Sequence, residues 1–268
     1  MHPTDPLRKM IRNYGRLLVA YSGGVDSAFL LKVAVEELGR DAMGVIADSP
    51  SYPRREFESA MALAEGMGAR IHILRTAEMD NPEYARNPVN RCYFCKHELF
   101  SRMGQFAAEQ DWPHLAYGEI AEDAADFRPG AQAAREFQVH APLREAGLTK
   151  ADIRRFSAEL GLPTADKPAM ACLSSRIPYG QPVREDSLRM IETAENFIRD
   201  QGFYDVRVRH HLHGSETVAR VEVGIAEVPR LQEPGMDRRV RQTLHTIGYD
   251  RVEIDPLGYR RGSLNPAG

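Results

Sequence analysis

Short, uninterrupted apolar runs open the chain, and helical spacing of apolar residues alternates with them. Residues 16–21 (RLLVAY) form a run of strand length. Six small or polar residues follow, and then AFLLKVAVEELG, which predicts a helix closed by Gly39. The alternation repeats: 41–48 (DAMGVIAD) predicts a strand, 54–68 a helix ending in glycine, and 69–76 (ARIHILRT) a strand. Residues 92–110 predict a helix, 114–118 (HLAYG) a fourth strand and 137–143 (FQVHAPL) a fifth. Thr149 then caps a helix that Gly161 stops. Strands and helices alternating at this spacing predict a parallel sheet covered on both faces, an α/β fold.

The pattern changes after Gly161. LPTADKPAMACLSSRIPYGQ carries three prolines and no amphipathic period, so it predicts a loop, of a length that usually has a function. Beyond it, an amphipathic helix over 183–202 precedes alternating strands at 203–211, 216–224 and 250–256 around a helix near 234–246. That reads as a small C-terminal α+β domain, with a division at 1–180 and 181–268. A chain of 268 residues is long enough for this division. Its net charge of -3 argues against a large electrostatic footprint for nucleic acid. No signal-peptide pattern opens the chain and no apolar run reaches membrane-spanning length, so a cytoplasmic, non-membrane protein is expected.

Candidate chemistry starts with Ser22-Gly23-Gly24-Val25-Asp26-Ser27, placed between a buried strand and a helix start. Backbone N–H groups there converge on anions, glycines let the chain approach a phosphate, and Ser22 and Ser27 add hydroxyl donors. Asp26 beside an anion points to a bridging Mg2+ and hence to a nucleotide–metal complex. The segment lacks the Gly-Lys-Ser/Thr end of the Walker pattern. SGGVDS resembles the signature of the PP-loop ATP pyrophosphatases, which cleave ATP between its α and β phosphates. The resemblance implies an adenine nucleotide alpha hydrolase-like core that binds ATP and Mg2+. Asp48, at the end of the second strand, lies where that fold presents ligand-binding loops, or is an ordinary strand cap.

Three cysteines in a chain without an export signal argue against a disulfide framework. Cys92-x-x-Cys95 fits a redox pair, half of a zinc site or part of an iron–sulfur site. Cys172 lies in the proline-bounded loop, near Lys167, Ser174, Ser175 and Arg176 in sequence. The segments NRCYFCK, ADFRPG, APLREAGLTKADIR and KPAMACLSSRIPYG, together with SGGVDS, resemble the LarE family over nearly the whole chain. These are ATP-dependent sulfurtransferases of nickel-pincer nucleotide biosynthesis.

The resemblance implies adenylation of a carboxylate of pyridinium-3,5-biscarboxylic acid mononucleotide, followed by displacement of AMP by sulfur. It makes Cys172 the reactive cysteine. It also makes Cys92, Cys95 and Cys172 the ligands of a [4Fe-4S] cluster that carries sulfide, with a sacrificial Cys172 as the other course. A Cys3His zinc site completed by His97 stays open, because three thiolates alone leave a zinc site unclosed. Asp126 and Arg128 match an acidic segment ending in RPG, and Arg128 is a phosphate contact or a loop salt bridge. Lys150 and Arg154 lie one turn apart at a helix start, where cations oppose the helix dipole unless an anion is near. Arg207 and Arg209 alternate on one strand face and correspond to the family's phosphate-binding arginine pair, or else are a solvated face. Glu195 and Glu222 are candidates for a metal or for substrate orientation. His210, His211 and His213 are expected at the surface. A small nucleotide substrate, a sulfide donor and a homo-oligomer are the expected partners. A tRNA-thiolating or amide-forming PP-loop enzyme, and a non-catalytic nucleotide-sensing module with zinc, are the competing readings.

Overall fold

The computed structural model describes residues 3–122, 129–168 and 171–260. In chain order the elements are α1 (Asp5–Tyr14), β1 (Leu17–Ala20), α2 (Val25–Leu38), β2 (Ala42–Asp48), α3 (Arg54–Gly66), β3 (Arg70–Arg75), α4 (Pro82–Ala85) and α5 (Arg91–Glu109). They continue with β4 (His114–Tyr117), α6 (Pro129–Glu136), α7 (Pro142–Glu145), α8 (Lys150–Glu159), α9 (Glu185–Asp200), β5 (Arg207–His213), β6 (Glu216–Glu222), α10 (Val228–Leu231), α11 (Pro234–Ile247) and β7 (Arg251–Ile254). The chain divides into two compact units, Met1–Glu78 with Asn90–Met170, and Met79–Val89 with Ala171–Gly268. The seam thus falls at 170–171, and 79–89 belongs with the C-terminal part.

The first unit is built on a parallel sheet in the order β3-β2-β1-β4. Leu17, Leu18 and Val19 of the central β1 are fully buried, as a strand covered on both faces requires. Helix α2 is apolar nearly all round. Ala28, Phe29, Leu30, Leu31, Val33 and Ala34 are all buried, so it is a core helix and not an amphipathic one. Helix α1 covers it through Leu7 and Ile11, one turn apart on one face, and ties to it through Arg8–Glu37 at 2.6 Å.

The fifth strand expected over 137–143 does not form. His140 alone bridges to β4, its N–H donating to Leu115 and its carbonyl accepting from Tyr117. Pro142 has no N–H to continue a ladder and starts the helical turn α7 instead.

Helix α8 starts as the sequence predicts. The Thr149 hydroxyl accepts from the N–H of Asp152, and the Asp152 carboxylate accepts from the Thr149 N–H at 3.2 Å, a reciprocal capping box.

In the second unit β5 and β6 are antiparallel and β6 and β7 parallel, in the order β5-β6-β7. Helices α9 and α11 share one apolar core with this sheet, through Ile198, Val208, Val221 and Leu244. The open edge of β5 is partly closed by Gln181, whose amide both donates to the Leu212 carbonyl and accepts from its N–H. Residues 207–210 are buried on both strand faces, where alternation had predicted one solvated face. Val208 and His210 face the core side. Arg207 and Arg209 face the other side, where Tyr259 and the turn at 173–176 lie against them.

His210 therefore departs from the surface position expected of it. It is 1% exposed, within 3.3 Å of the Tyr249 hydroxyl through Nδ1, while its Nε2 has no hydrogen-bond partner; the Nε2 of half-buried His211 has none either. His213 alone of the three is exposed.

Two predictions follow from these local structures. Thr149→Ala removes the cap of α8 and should lower stability by about 1 kcal/mol, read as a fall of roughly 2–4 °C in Tm. Burial pushes His210 and His211 down to about 4. Between pH 6.5, the ordinary histidine value, and pH 4, the unfolded chain binds protons at these rings that the folded chain does not. Stability should therefore fall as pH drops through that window. His210→Gln should flatten the decline in a urea-denaturation series, and an unchanged slope would exclude His210 as its source.

Candidate active site

Residues 21–24 connect β1 to α2, whose first residues are Val25, Asp26 and Ser27, with Gly24 in extended conformation at the N-cap position. The first N–H groups of α2 have no helical partner, so this end of the sheet presents donors and the positive end of a helix. Gly23 has φ +62°, and a Cβ there would stand 2.5 Å from the Ala60 Cβ of α3. Glycine is thus required both for conformation and for the close approach of α3. Gly118, just past β4, serves the other side: a Cβ would stand 2.9 Å from the Ser27 nitrogen. Inside the loop the Ser27 hydroxyl accepts from the Ser22 N–H at 3.1 Å and donates to the Gly24 carbonyl at 3.2 Å.

The loop is also held from outside. The Tyr52 hydroxyl donates to the Ser22 carbonyl at 2.8 Å, and the Tyr21 hydroxyl donates to the Ala60 carbonyl at 2.8 Å. Burial raises both phenols well above their ordinary value, so they stay donors at neutral pH. Behind Tyr52, the hydroxyls of Ser49 and Ser51 both donate to the buried carboxylate of Glu78. Asp48 ends β2 and is paired with Arg54 at 2.7 Å.

Two lysines converge on the loop. Lys150, the first residue of α8, reaches both carboxylate oxygens of Asp26 at 2.6 Å. The anion that a cation at this helix start calls for is therefore present, and Glu122 adds a second by accepting from the Lys150 N–H at 2.9 Å. Lys167 donates to the Gly23 carbonyl at 3.2 Å and pairs with Glu56 at 2.9 Å. Arg154 donates to the carbonyls of Ala165 at 2.5 Å and Lys167 at 2.9 Å, so it braces the segment that carries Lys167. The contact of Lys167 with the loop escaped the sequence reading because 140 residues separate the two; the proline-bounded segment around it was the only signal. Arg128 and Asp126 lie outside the described residues.

Cys92 and Cys95 are one turn apart at the start of α5, the first exposed and the second half-buried. His97 packs its ring edge-on against Phe137 at 4.9 Å. Among the described residues, neither unit gathers three His, Cys, Asp or Glu side chains at metal-binding spacing.

In the second unit Cys172 caps a short 3-10 turn, Leu173–Arg176. Arg209 pairs with Glu222 at 2.8 Å and donates to the Ser175 carbonyl at 3.1 Å. Arg207 lies 4.8 Å from the centre of the Tyr259 ring and 3.2 Å from Asp205. The two arginines are 8% and 5% exposed, which rules out a solvated strand face. Burial, and then the charge of Arg176, pull Arg207 below its ordinary value. Glu222 is engaged as the partner of Arg209, and Glu195, fully buried, as the partner of Arg176 and Arg199.

Tyr52→Phe deletes one donor to the loop without disturbing its packing. It should raise the KM for nucleotide roughly five-fold, the equivalent of about 1 kcal/mol, with kcat changed less. Steady-state kinetics would show this, and an unchanged KM would mean that the loop holds its shape without Tyr52.

No protein-family profile matches the chain. An uncharacterised protein of Synechocystis sp. is 39% identical over 261 residues, 97% of this chain and 96% of that one. The pyridinium-3,5-bisthiocarboxylic acid mononucleotide synthase of Lactiplantibacillus plantarum is 34% identical over 256 residues, 95% of this chain and 91% of that one. The argininosuccinate synthase of Haloarcula marismortui is 25% identical over 160 residues, 56% of this chain and 38% of that one. With a phosphate loop of this build and similarity over nearly its full length, the chain belongs to the family of the pyridinium-3,5-bisthiocarboxylic acid mononucleotide synthases.

Proposed function

We infer that this chain is an ATP-dependent sulfurtransferase of nickel-pincer nucleotide biosynthesis, acting on pyridinium-3,5-biscarboxylic acid mononucleotide. The phosphate loop carries the reading: glycines, a helix N-terminus and two lysines meet at the end of β1, in a chain similar along its length to the Lactiplantibacillus plantarum synthase. ATP binds with its phosphates on the N–H groups of 23–27. Asp26 would hold a Mg2+ ion, which would supply further positive charge at the phosphates, and Lys150, now on Asp26, is within reach of the same loop. A substrate carboxylate oxygen attacks the α-phosphorus as the bond to pyrophosphate breaks. Lys150 and Lys167, with the helix N-terminus, stabilise the charge that builds on the leaving group.

A sulfur nucleophile then attacks the acyl carbon. AMP leaves with the electron pair of the C–O bond, and a thiocarboxylate remains. Arg207 and Arg209 hold the phosphate of the substrate nucleotide, with Glu222 fixing Arg209. Cys92, Cys95 and Cys172, none of them in a disulfide, are the residues that would hold a [4Fe-4S] cluster. Three thiolates match a cubane with one open iron, and the cluster would supply that iron as a carrier of sulfide. Thiols of this kind suit a reducing compartment such as the cytoplasm.

Anaerobic reconstitution followed by iron, sulfide and zinc analysis separates the sulfur sources. About four irons per chain are expected for a cubane, lost in Cys92→Ala, with pyrophosphate released when ATP and substrate are both present. Stoichiometric zinc, or no metal together with loss of H2S from Cys172 after turnover, would overturn the cluster and make Cys172 the sulfur donor, its Cβ–S bond breaking to leave dehydroalanine.

A further inference from the structure

The second unit contains a charged cluster that phosphate binding does not require. The Arg176 side chain is 3% exposed and that of Glu195 is fully buried. They meet fork to fork, Nε to Oε1 at 2.8 Å and Nη2 to Oε2 at 3.1 Å. Burial works to raise the Glu195 carboxyl, and Arg176, by charge and hydrogen bond, overrides it and holds the carboxyl below its ordinary value. A buried ion pair of this kind is a poor source of stability, since apolar residues of the same volume do as well or better. Its presence calls for another reason.

The remaining bonds of the pair supply one. Arg176 Nη1 donates to the carbonyls of Ala171 at 2.8 Å and Cys172 at 3.0 Å, and to the Ser175 hydroxyl at 3.0 Å. The Cys172 carbonyl also accepts from the Ser175 N–H at 3.0 Å and the Ser175 hydroxyl at 2.7 Å. From the other side, Glu195 accepts from the Val208 N–H at 3.1 Å and from Arg199 at 2.7 Å. Val208 lies on β5 between Arg207 and Arg209, and Arg209 reaches back to the Ser175 carbonyl.

We propose that Arg176 is a positioning residue for the thiol of Cys172: its guanidinium fixes the backbone of that cysteine and, through Glu195, locks the turn to the strand that carries Arg207 and Arg209. This rests on the reading of Cys172 as the thiol that serves sulfur transfer. Substrate phosphate and reactive thiol are then held in one register by a planar fork with donors on three sides. Lysine, a point charge with three donors on one atom, cannot reproduce that geometry.

The experiment compares the full chain, reduced and freed of metal, with Arg176→Lys and with the neutral pair Arg176→Gln/Glu195→Gln, which removes both charges of the fork together. Iodoacetamide labelling is followed at each cysteine by peptide mass spectrometry, with Cys92 and Cys95 as internal controls. In both variants the rate at Cys172 should rise about five-fold or more relative to Cys92 and Cys95. The kcat for thiocarboxylate formation should fall about ten-fold or more, with the KM for ATP within about two-fold. Labelling and kcat at wild-type values in both variants would overturn the assignment, and so would equal acceleration at all three thiols, which marks general loosening. Undiminished product from Cys172→Ser would instead remove the reading on which the proposal rests, and that result is obtained separately from the labelling pattern.

Discussion

The close approach of α3 to the loop between β1 and α2 is the constraint on which the candidate nucleotide site depends. A helix N-terminus at the end of a buried strand leaves N–H groups unpaired, which is costly unless they meet water or an anion. Here the loop that exposes them is pressed against Ala60 at Gly23, which has no side chain and adopts φ +62°. Tyr52 then bonds the carbonyl of Ser22, and Ser27 closes the turn from within. The donors are fixed before any ligand arrives, so little ordering has to accompany binding.

The second unit uses a different solution to the same problem of holding polar groups still. Three arginines and two glutamates are withdrawn from solvent around β5 and the turn at 173–176. The arginines donate to carboxylates, carbonyls and the Ser175 hydroxyl or lie over an aromatic face, and Glu195 also accepts from a backbone N–H. Burial makes such contacts geometrically demanding, because an unpartnered charge in this setting costs several kcal/mol. The turn and strand of this unit are therefore held by directional bonds among buried charges, whereas the loop of the first unit combines close packing at Gly23 with hydrogen bonds from Tyr52 and Ser27.

Much of the fold was legible from periodicity. The apolar runs of β1 and β2, the helix stops at Gly39 and Gly161, and the Thr149 cap each follow from local chemistry, and local chemistry is what a sequence displays. The expected fifth strand failed because one residue, Pro142, outweighed an otherwise strand-like pattern. His210 was misjudged because it lies on the core face of β5 against Tyr249, a contact made across 39 residues, and the solvated face expected of Arg207 and Arg209 failed because Tyr259 and the 173–176 turn lie against it. Of the candidate site, the phosphate loop was legible as a continuous motif. The partners that hold it, Tyr52, Lys150 and Lys167, are distant in sequence, and only Lys150 announced itself, through the unfavourable placement of a cation at a helix start.

That misplaced cation bears on the electrostatics of the whole loop. Asp26 at the first turn of α2 interacts favourably with the helix dipole, but it would repel a polyphosphate. Lys150 on both of its oxygens neutralises it, and Lys167 adds a positive charge at the Gly23 carbonyl, itself held by Glu56. The unliganded loop is thus charge-balanced by pairs that are all partly exposed, and such pairs are weak, worth about 1 kcal/mol or less each. A ligand carrying several negative charges can exchange them at small cost. An anion would gain both lysines, and a divalent cation arriving with it would gain Asp26. Strong, buried pairs here would oppose such an exchange, so the exposure of Lys150 and Asp26 fits the proposed role of the loop.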